Sequence, residues 1–209
     1  MKIVFATGNA HKLQEINEIA QGTDIEFILP PEGFDPIENG ETFEENSLIK
    51  AHEAARVSGM ISLADDSGLC VEALGGAPGI HSARYAETAQ ARIDKLLNVL
   101  KDEKNRKAKF VCAMTLVDKD GNILFQTRGE CHGEIAYSQS GTNGFGYDPI
   151  FLVEEGKNGS AATDNDIISQ TEVGADGKKT MAEMSEDEKN EVSHRGRALR
   201  KVLEFLEGR

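Results

Sequence analysis

Short apolar runs recur along the chain, and each is bounded by glycine, proline or polar turn residues. Runs of this length and setting are typical of buried strands. They occupy residues 2–6, 25–29, 60–64, 109–118, 122–136 and 149–153. The fourth and fifth runs are separated only by Lys119, Asp120 and Gly121, which indicates two strands joined by a tight turn.

Helical periodicity fills the intervals between several of these strands. Apolar positions recur at the spacing of one helix face in residues 13–21, 91–102 and 193–208. Thr42 and Glu45 match a capping box that predicts a helix running to about Ser58, and Ser185 and Glu188 form a second match. Because strands and helices mix throughout the 209 residues, we predict a single α/β domain with a mixed sheet.

Residues 154–179 break this pattern. They are rich in Gly, Asn, Asp, Ser and Thr and lack either periodicity. We therefore predict a long surface loop, which is longer than most connections in compact domains.

Net charge narrows the classes of partner. The formal charge is −13, which argues against a broad binding surface for nucleic acid but permits a small polyanion held by a local group of cations or a metal. No apolar run reaches the length of a membrane span, and the start lacks a signal-peptide pattern, so we expect a cytoplasmic protein without membrane contact. The three cysteines show no ligand spacing and are expected to be buried thiols.

Two adjacent carboxylates, Asp65 and Asp66, follow the third apolar run. We place them at the carboxyl end of that strand, where α/β proteins often build their sites. Neighbouring strand residues point to opposite faces, so only one of the pair can enter a cleft while the other braces the structure. A tight turn with capping aspartates is the alternative, and these two residues alone favour it.

Three further segments carry candidate chemistry. Residues 7–12 join a strand to a helix, where backbone amides and Lys12 could bind phosphate, although an ordinary capped helix explains them equally well. Residues 141–149 surround Phe145, which could stack on a base, with three glycines. Cationic residues gather near the start of the last helix: Lys189, His194 and Arg195. Together with an acidic stretch at 38–45, these features describe a site for a phosphorylated ligand with bound Mg²⁺.

Four segments in this order make the sequence recognisable. Residues 5–16 (FATGNAHKLQEI), 64–86, 141–151 (GTNGFGYDPIF) and 179–199 closely resemble the inosine triphosphatase family. The resemblance spans nearly the whole chain. It implies an elongated, two-lobed α/β fold with a long mixed sheet flanked by helices, an active-site cleft between the lobes, a homodimer and a requirement for Mg²⁺.

The resemblance also implies a reaction. Family members hydrolyse deaminated purine nucleoside triphosphates (ITP, dITP and XTP) at the α–β phosphoanhydride, releasing the monophosphate and pyrophosphate and so cleaning the nucleotide pool. Asp66 matches the proton acceptor and a metal ligand, and Glu38 matches a second metal ligand. The positions that match substrate contacts are Thr7, Gly8, Asn9, Ala10, His11, Lys12, Ser67, Phe145, Gly146, Tyr147, Asp148, Lys189, His194 and Arg195.

Residues 154–179 depart from the family pattern, which usually has a much shorter loop there. We interpret the segment as a loop insertion. Two other functions stay open at this point: a pyrophosphatase for other modified nucleotides, and a nucleotide-binding sensor without catalysis. The intact acids Glu38 and Asp66 argue against the sensor.

Overall fold

A six-stranded mixed sheet forms the centre of the protein. The structure, a computed structural model, describes residues 1–154 and 178–208. The strand order is β2-β1-β3-β4-β5-β6; β1 runs parallel to β2 and β3, and the other neighbours are antiparallel. The strands are β1 (Lys2–Phe5), β2 (Glu26–Ile28), β3 (Ser62–Val71), β4 (Lys107–Val117), β5 (Ile123–Ile135) and β6 (Phe151–Val153). The predicted α/β fold with a mixed sheet is confirmed.

Helices cover both faces of the sheet. Odd-numbered residues of β1, such as Ile3 and Phe5, pack in one cluster with apolar residues of α1 and α5, whereas Val4 packs with alanines of α2 on the other face. This division follows from the alternation of side chains along a strand. The helices are α1 (Ala10–Ile19), α2 (Phe43–Ser58), α3 (Ala89–Val99), α4 (Glu186–Val192) and α5 (His194–Glu207).

The helix starts follow the capping signals with one difference. The Thr42 hydroxyl accepts a hydrogen bond from the amide of Glu45 at 3.1 Å, which starts α2 where predicted. The Glu45 carboxylate accepts from the amide of Glu41 at 2.7 Å instead of from Thr42, so the box is not reciprocal. The box of Ser185 and Glu188 is complete. Local capping chemistry therefore fixes both helix starts.

The expectation that the aspartate pair ends a strand is wrong. β3 continues from Asp66 through Ser67 and Gly68 to Val71 and stays paired with β4 throughout. Gly68 is needed for packing and not for a turn, because a Cβ there would lie 2.2 Å from the carbonyl oxygen of Gly79. The pair therefore lies in the middle of β3, within its continuous pairing with β4.

Two apolar clusters lie toward opposite ends of the long strands. One contains Leu63, Met114 and Leu116, and the other contains Val71 and Phe110. Asp65 and Asp66 lie between them, which agrees with a site between two lobes. Of the predicted insertion at 154–179, residues 155–177 lie outside the described part of the chain. No helix in the described residues is long and apolar enough to span a membrane.

Gly68→Ala should destabilise the fold. The new methyl group meets backbone that cannot move without breaking β3, so we expect a loss of about 2 kcal/mol in the free energy of unfolding, measured by urea denaturation. Gly8→Ala is the matched control, since a methyl group at that position would have no atom within 4 Å apart from those of its chain neighbours. Equal stability of the two variants would contradict the close approach at Gly68.

Candidate active site

The two aspartates point to opposite faces of the sheet, as strand alternation requires. Asp65 faces the side covered by α1 and α5, where Lys12 Nζ lies 3.1 Å and Arg195 Nη2 3.1 Å from its Oδ2. Asp66 faces α2, where Lys50 Nζ donates to its Oδ1 at 2.8 Å. The prediction that only one of the two can serve a given cleft is consistent with this geometry.

Asp65 is a fully partnered buried carboxylate. Lys12 and Arg195 bind it from two helices, and the Ser67 hydroxyl donates to it at 3.1 Å. Burial opposes its ionisation, but the charges of Lys12 and Arg195 outweigh burial and hold the pKa of Asp65 well below its ordinary value. Asp65 therefore stays ionised and holds Lys12 and Arg195 in position.

Asp66 has a different electrostatic environment. Burial raises its pKa above the ordinary aspartate value, and Lys50 offsets the increase only in part. Lys50 is shared, because its Nζ also lies 3.0 Å from Glu38 Oε2. Oδ2 of Asp66 is buried and has no hydrogen-bond partner among the described residues. Such an atom is costly to leave unpaired, which marks a place where a ligand supplies the missing contact.

A chain of buried ion pairs extends from Asp65 toward the last two helices. Arg195, 1 % exposed, donates from Nη1 to Glu15 Oε2 at 2.7 Å while its other nitrogens hold Asp65. Lys189 donates to Asp148 Oδ2 at 3.0 Å and lies 3.9 Å from Glu15. The sequence-predicted residues Lys12, Asp148, Lys189 and Arg195 are thus brought together by ion pairs.

A cleft opens beside these ion pairs. It has a volume of about 200 Å³ and is lined by residues of α1, α4 and the 141–149 segment, including His11, Glu15, Phe145 and Lys189. The Phe145 ring is 42 % exposed and lies over both cations, 4.6 Å from Lys189 Nζ and 5.7 Å from the Arg195 guanidinium. A flat, exposed ring above cations offers a stacking surface for a base.

The side chain of Tyr147 is not among those that line this cleft. Its ring is buried in the core, and its hydroxyl donates to the carbonyl of Ser82 at 2.8 Å. Gly146 precedes it with a φ of +65°, a conformation that favours glycine. Within the 145–148 segment, the Phe145 ring therefore lines the cleft, Asp148 holds Lys189, and the side chain of Tyr147 serves the fold.

The loop of residues 7–12 lies beside Asp65, but three of its backbone amides already donate to side chains within the loop. Asn9 caps α1, and its Oδ1 accepts from the amides of His11 at 2.9 Å and Lys12 at 3.4 Å. The Thr7 hydroxyl accepts from the amide of Asn9, and helix residues begin at Ala10. Gly8 has open space around it. A phosphate at this helix start would take the place of the Asn9 side chain.

The free edge of β3 joins the two faces of the sheet. β1 ends at Phe5, which pairs with Leu63, and the 77–82 segment meets the same edge at Leu69–Val71, so in the described part of the chain no strand pairs with residues 64–67 on the β1 side. Asp65, Asp66 and the 7–12 loop meet at this edge. A ligand of nucleotide size lying there can contact groups on both faces.

The carboxylates on the α2 face suit a hard cation. Glu38 and Asp66 supply oxygen ligands, the type that Mg²⁺ prefers, and the unpaired Asp66 oxygen provides a free lone pair. No cluster of three or more histidine, cysteine, aspartate or glutamate side chains in residues 1–154 and 178–208 forms a ready-made metal site. Two carboxylates fit Mg²⁺ when substrate phosphates and water complete its coordination.

Sequence reasoning missed Lys50 and Glu15. Lys50 lies on the buried face of α2, at spacings of three and four residues from Ser47 and Ala54, so the helix period itself could have revealed it. Glu15 precedes the buried Ile16 and follows Lys12 by three residues, which puts it on the sheet side of α1. Neither residue stood out, because a charged helix residue is usually solvated.

Comparisons with known proteins agree with this fold and identify the family. The sequence model of the Ham1 family matches residues 3–205. A dITP/XTP pyrophosphatase of Treponema denticola is 43% identical over 217 aligned positions, covering 100% of both chains, and one of Synechocystis is 40% identical over 201, covering 96% of this chain and 93% of the relative. The solved structure of a Ham1 protein from Coxiella burnetii superimposes with a TM-score of 0.82 at 38% identity, covering 100% of both chains.

The pH dependence of stability should contain a contribution from His194. Its ring is buried and stacked on Phe110 with 4.8 Å between centroids; burial, then the charges of Arg195 and Lys189, lower its pKa well below 6.5. The unfolded chain binds the proton more readily, so stability is present above about pH 6.5 and is lost as pH falls below it, by up to about 2 kcal/mol at pH 5.

His194→Phe keeps the stacking and removes the titration. Urea denaturation of both proteins at pH 7 and pH 5 measures the difference, and we expect the variant to lose less stability between the two pH values. An identical pH dependence in the variant would show that His194 titrates normally.

Proposed function

This chain belongs to the Ham1 family, and we propose that it is a dITP/XTP pyrophosphatase that hydrolyses ITP, dITP and XTP to the monophosphate and pyrophosphate. The reaction breaks the anhydride between the α- and β-phosphates and removes deaminated purines from the nucleotide pool. One observation carries the assignment of the site: Asp66 keeps a buried, unpaired oxygen at the free edge of β3, where Lys50 links it to Glu38.

Asp66 is the proposed catalytic residue. Its free oxygen accepts the proton from the water that attacks the α-phosphorus, and Lys50 at 2.8 Å keeps the carboxylate oriented during the transfer. Asp65, one residue away, cannot take this role, because its oxygens are already bound by Lys12, Ser67 and Arg195. Of the two adjacent acids, Asp66 is therefore the proposed general base, and Asp65 holds Lys12 and Arg195 in position.

A count of charges supports the need for a divalent cation. Four cations meet five carboxylates across the site, which leaves a net formal charge of −1 before a polyanionic substrate arrives. They are Lys12, Lys50, Lys189 and Arg195 against Glu15, Glu38, Asp65, Asp66 and Asp148. We propose that Glu38 and Asp66 hold Mg²⁺, which when bound offsets phosphate charge and acidifies water.

The lysines are proposed to bind the leaving pyrophosphate. Lys12 and Lys189 are held 3.1 Å and 3.0 Å from carboxylates in this structure, and phosphate oxygens can replace those partners. Thr7, Gly8 and Asn9 lie next to Lys12 at the start of α1 and add polar contacts. Stabilising the charge that develops on the leaving group is the main electrostatic task in phosphoryl transfer.

The purine is proposed to stack on Phe145 above Arg195 and Lys189. Arg195 lies under the Phe145 ring, and His194, whose pKa is lowered mainly by burial so that its ring is neutral, is the residue before it; both stay predicted contacts of the base. A homodimer stays a prediction from the family resemblance, and a cytoplasmic location stays a prediction from the sequence. A pyrophosphatase for other modified nucleotides and a catalytically silent sensor are the alternatives that the first experiment separates.

Asp66→Asn should abolish turnover and retain binding. Without the proton acceptor, we expect kcat for pyrophosphate release from dITP and XTP to fall by about 10³-fold, the scale of a lost general base. The assay separates pyrophosphate from orthophosphate and includes dGTP, dATP and modified pyrimidine triphosphates. Asp120→Asn, at an exposed turn where Asp120 pairs with Lys119, is the control and should keep wild-type rates.

Each contrary outcome of that assay has a meaning. Orthophosphate release would show cleavage of the wrong bond. Tight binding of dITP without turnover by the wild type would favour the sensor, and preference for modified pyrimidines would favour the broader pyrophosphatase.

Glu38→Gln should weaken the response to Mg²⁺. Chelation should abolish activity in the wild type, and the variant should need about tenfold more Mg²⁺ for half-maximal rate, because one anionic ligand is lost. Glu41→Gln, an exposed residue three positions away, is the matched control. An unchanged Mg²⁺ titration in Glu38→Gln would remove Glu38 from the metal site.

A further inference from the structure

Glu38 lies on a long loop that connects β2 to α2. The loop covers residues 29–42, and long loops are where proteins vary most in conformation. Glu38 is the central residue of a tight turn, because the amide of Asn39 donates to the carbonyl of Ile37 at 3.0 Å. The side chain of Ile37 is 78 % exposed, so burial of that side chain does not anchor the turn. A metal ligand in this setting depends on other contacts to fix its position.

The start of α2 holds the end of this loop through two backbone amides. The amide of Gly40 donates to Asn46 Oδ1 at 2.9 Å, and the amide of Glu41 donates to Glu45 Oε2 at 2.7 Å. Asn46 is 1 % exposed, whereas Glu45 is an exposed residue. A hydrogen bond is stronger in a buried setting than in water, so the contact made by Asn46 is the firmer of the two.

Gly40 and Asn46 fit closely against each other. A Cβ atom on Gly40 would lie 2.8 Å from Asn46 Oδ1, closer than side chains ordinarily approach, so glycine permits this contact. Asn46 also lies one helical turn before Lys50, whose Nζ contacts both Glu38 and Asp66. One face of α2 therefore holds the backbone of the loop and also the carboxylate that the loop carries.

We propose that Asn46 is a positioning residue for the metal site: its side chain holds the Gly40 amide, so that the loop presents Glu38 beside Asp66. The inference rests on the proposed function, in which Glu38 and Asp66 hold Mg²⁺, and extends it to a residue that acts through the loop. Two carboxylates bind a cation more tightly when the loop that carries one of them is ordered beforehand, because ordering it on binding costs free energy.

Asn46→Ala should weaken metal binding by the free enzyme. The probe is Mn²⁺, which takes the same oxygen ligands as Mg²⁺ and whose unbound form is measured by electron paramagnetic resonance. Without the hydrogen bond to Gly40, we expect the Kd for Mn²⁺ to rise about tenfold, the scale of a lost contact behind a metal ligand. Asn46→Asp keeps an acceptor oxygen at this place and should bind Mn²⁺ no more than about threefold more weakly than the wild type.

Ser47→Ala is the matched control for the fold. Ser47 is the next residue of α2, is fully buried and forms a hydrogen bond with Thr115 on the sheet at 2.6 Å. Its loss should lower the free energy of unfolding, measured by urea denaturation, and leave the Kd for Mn²⁺ unchanged. An equal rise of Kd in Ser47→Ala would show that any loosening of α2 weakens the site, and would overturn a specific role for Asn46.

Gly40→Ala tests the same contact from the side of the loop. Its methyl group would push the loop away from Asn46, so the Kd for Mn²⁺ should rise in this variant too. Because both variants break one contact, their effects on Kd in the double variant should be less than multiplicative. Fully multiplicative effects would overturn that contact as their common cause. Gly40→Ala alone carries the test should Asn46→Ala fail to fold, and an unchanged Kd would then overturn the inference.

Glu38→Gln separates failure of this inference from failure of the proposed metal site. If Glu38→Gln binds Mn²⁺ as the wild type does, both the metal assignment and the role of Asn46 are overturned. If Glu38→Gln binds weakly while Asn46→Ala binds as the wild type does, only the role of Asn46 is overturned. The release of pyrophosphate from dITP tests the proposed activity independently of either result.

Discussion

The buried ion pair between Asp65 and Arg195 is the interaction on which the site depends. The two residues are 130 positions apart, on the central strand and the last helix, and burying both charges is costly unless every donor is satisfied. Lys12 from α1 completes the shell of Asp65, and Glu15 completes that of Arg195. Because these partners come from three elements, the cluster fixes how α1 and α5 lie on the sheet. Asp66 then faces α2 by strand alternation alone.

Much of this arrangement could be predicted from local patterns. Apolar runs indicated the strands and helical spacing indicated the helices, because each side chain's burial follows from the period of its own element. The opposite orientations of Asp65 and Asp66 required only their adjacency in an extended chain. The last helix was predicted to begin at Ser193, and the hydroxyl of that residue accepts from the amide of Gly196 at 3.0 Å. These features depend on residues within a few positions of one another.

The remaining features of the fold and the site depend on contacts between residues that are far apart in the sequence. Gly68 resembles a turn residue in sequence, and only the approach of the distant Gly79 carbonyl explains why a strand needs glycine there. Lys50 and Glu15 look like solvated helix residues until the faces of α2 and α1 are docked on the sheet. Tyr147 lies close to Phe145 in a motif that suggests one pocket, yet its ring packs in the core. Tertiary packing decides each of these cases.

Every cation of the site is paired with a carboxylate. This pairing is compatible with the binding of a polyanionic ligand by so acidic a protein. A lysine held about 3 Å from a carboxylate contributes little field at longer range, so the net charge of −13 dominates there. At hydrogen-bonding distance the lysines can bind a ligand, because phosphate oxygens can replace their carboxylate partners one at a time. A small triphosphate whose charge is reduced by a divalent cation meets less repulsion on approach than a long polyanion does. The five internal carboxylates thus balance the four cations at long range and also hold them in position for a ligand at contact distance.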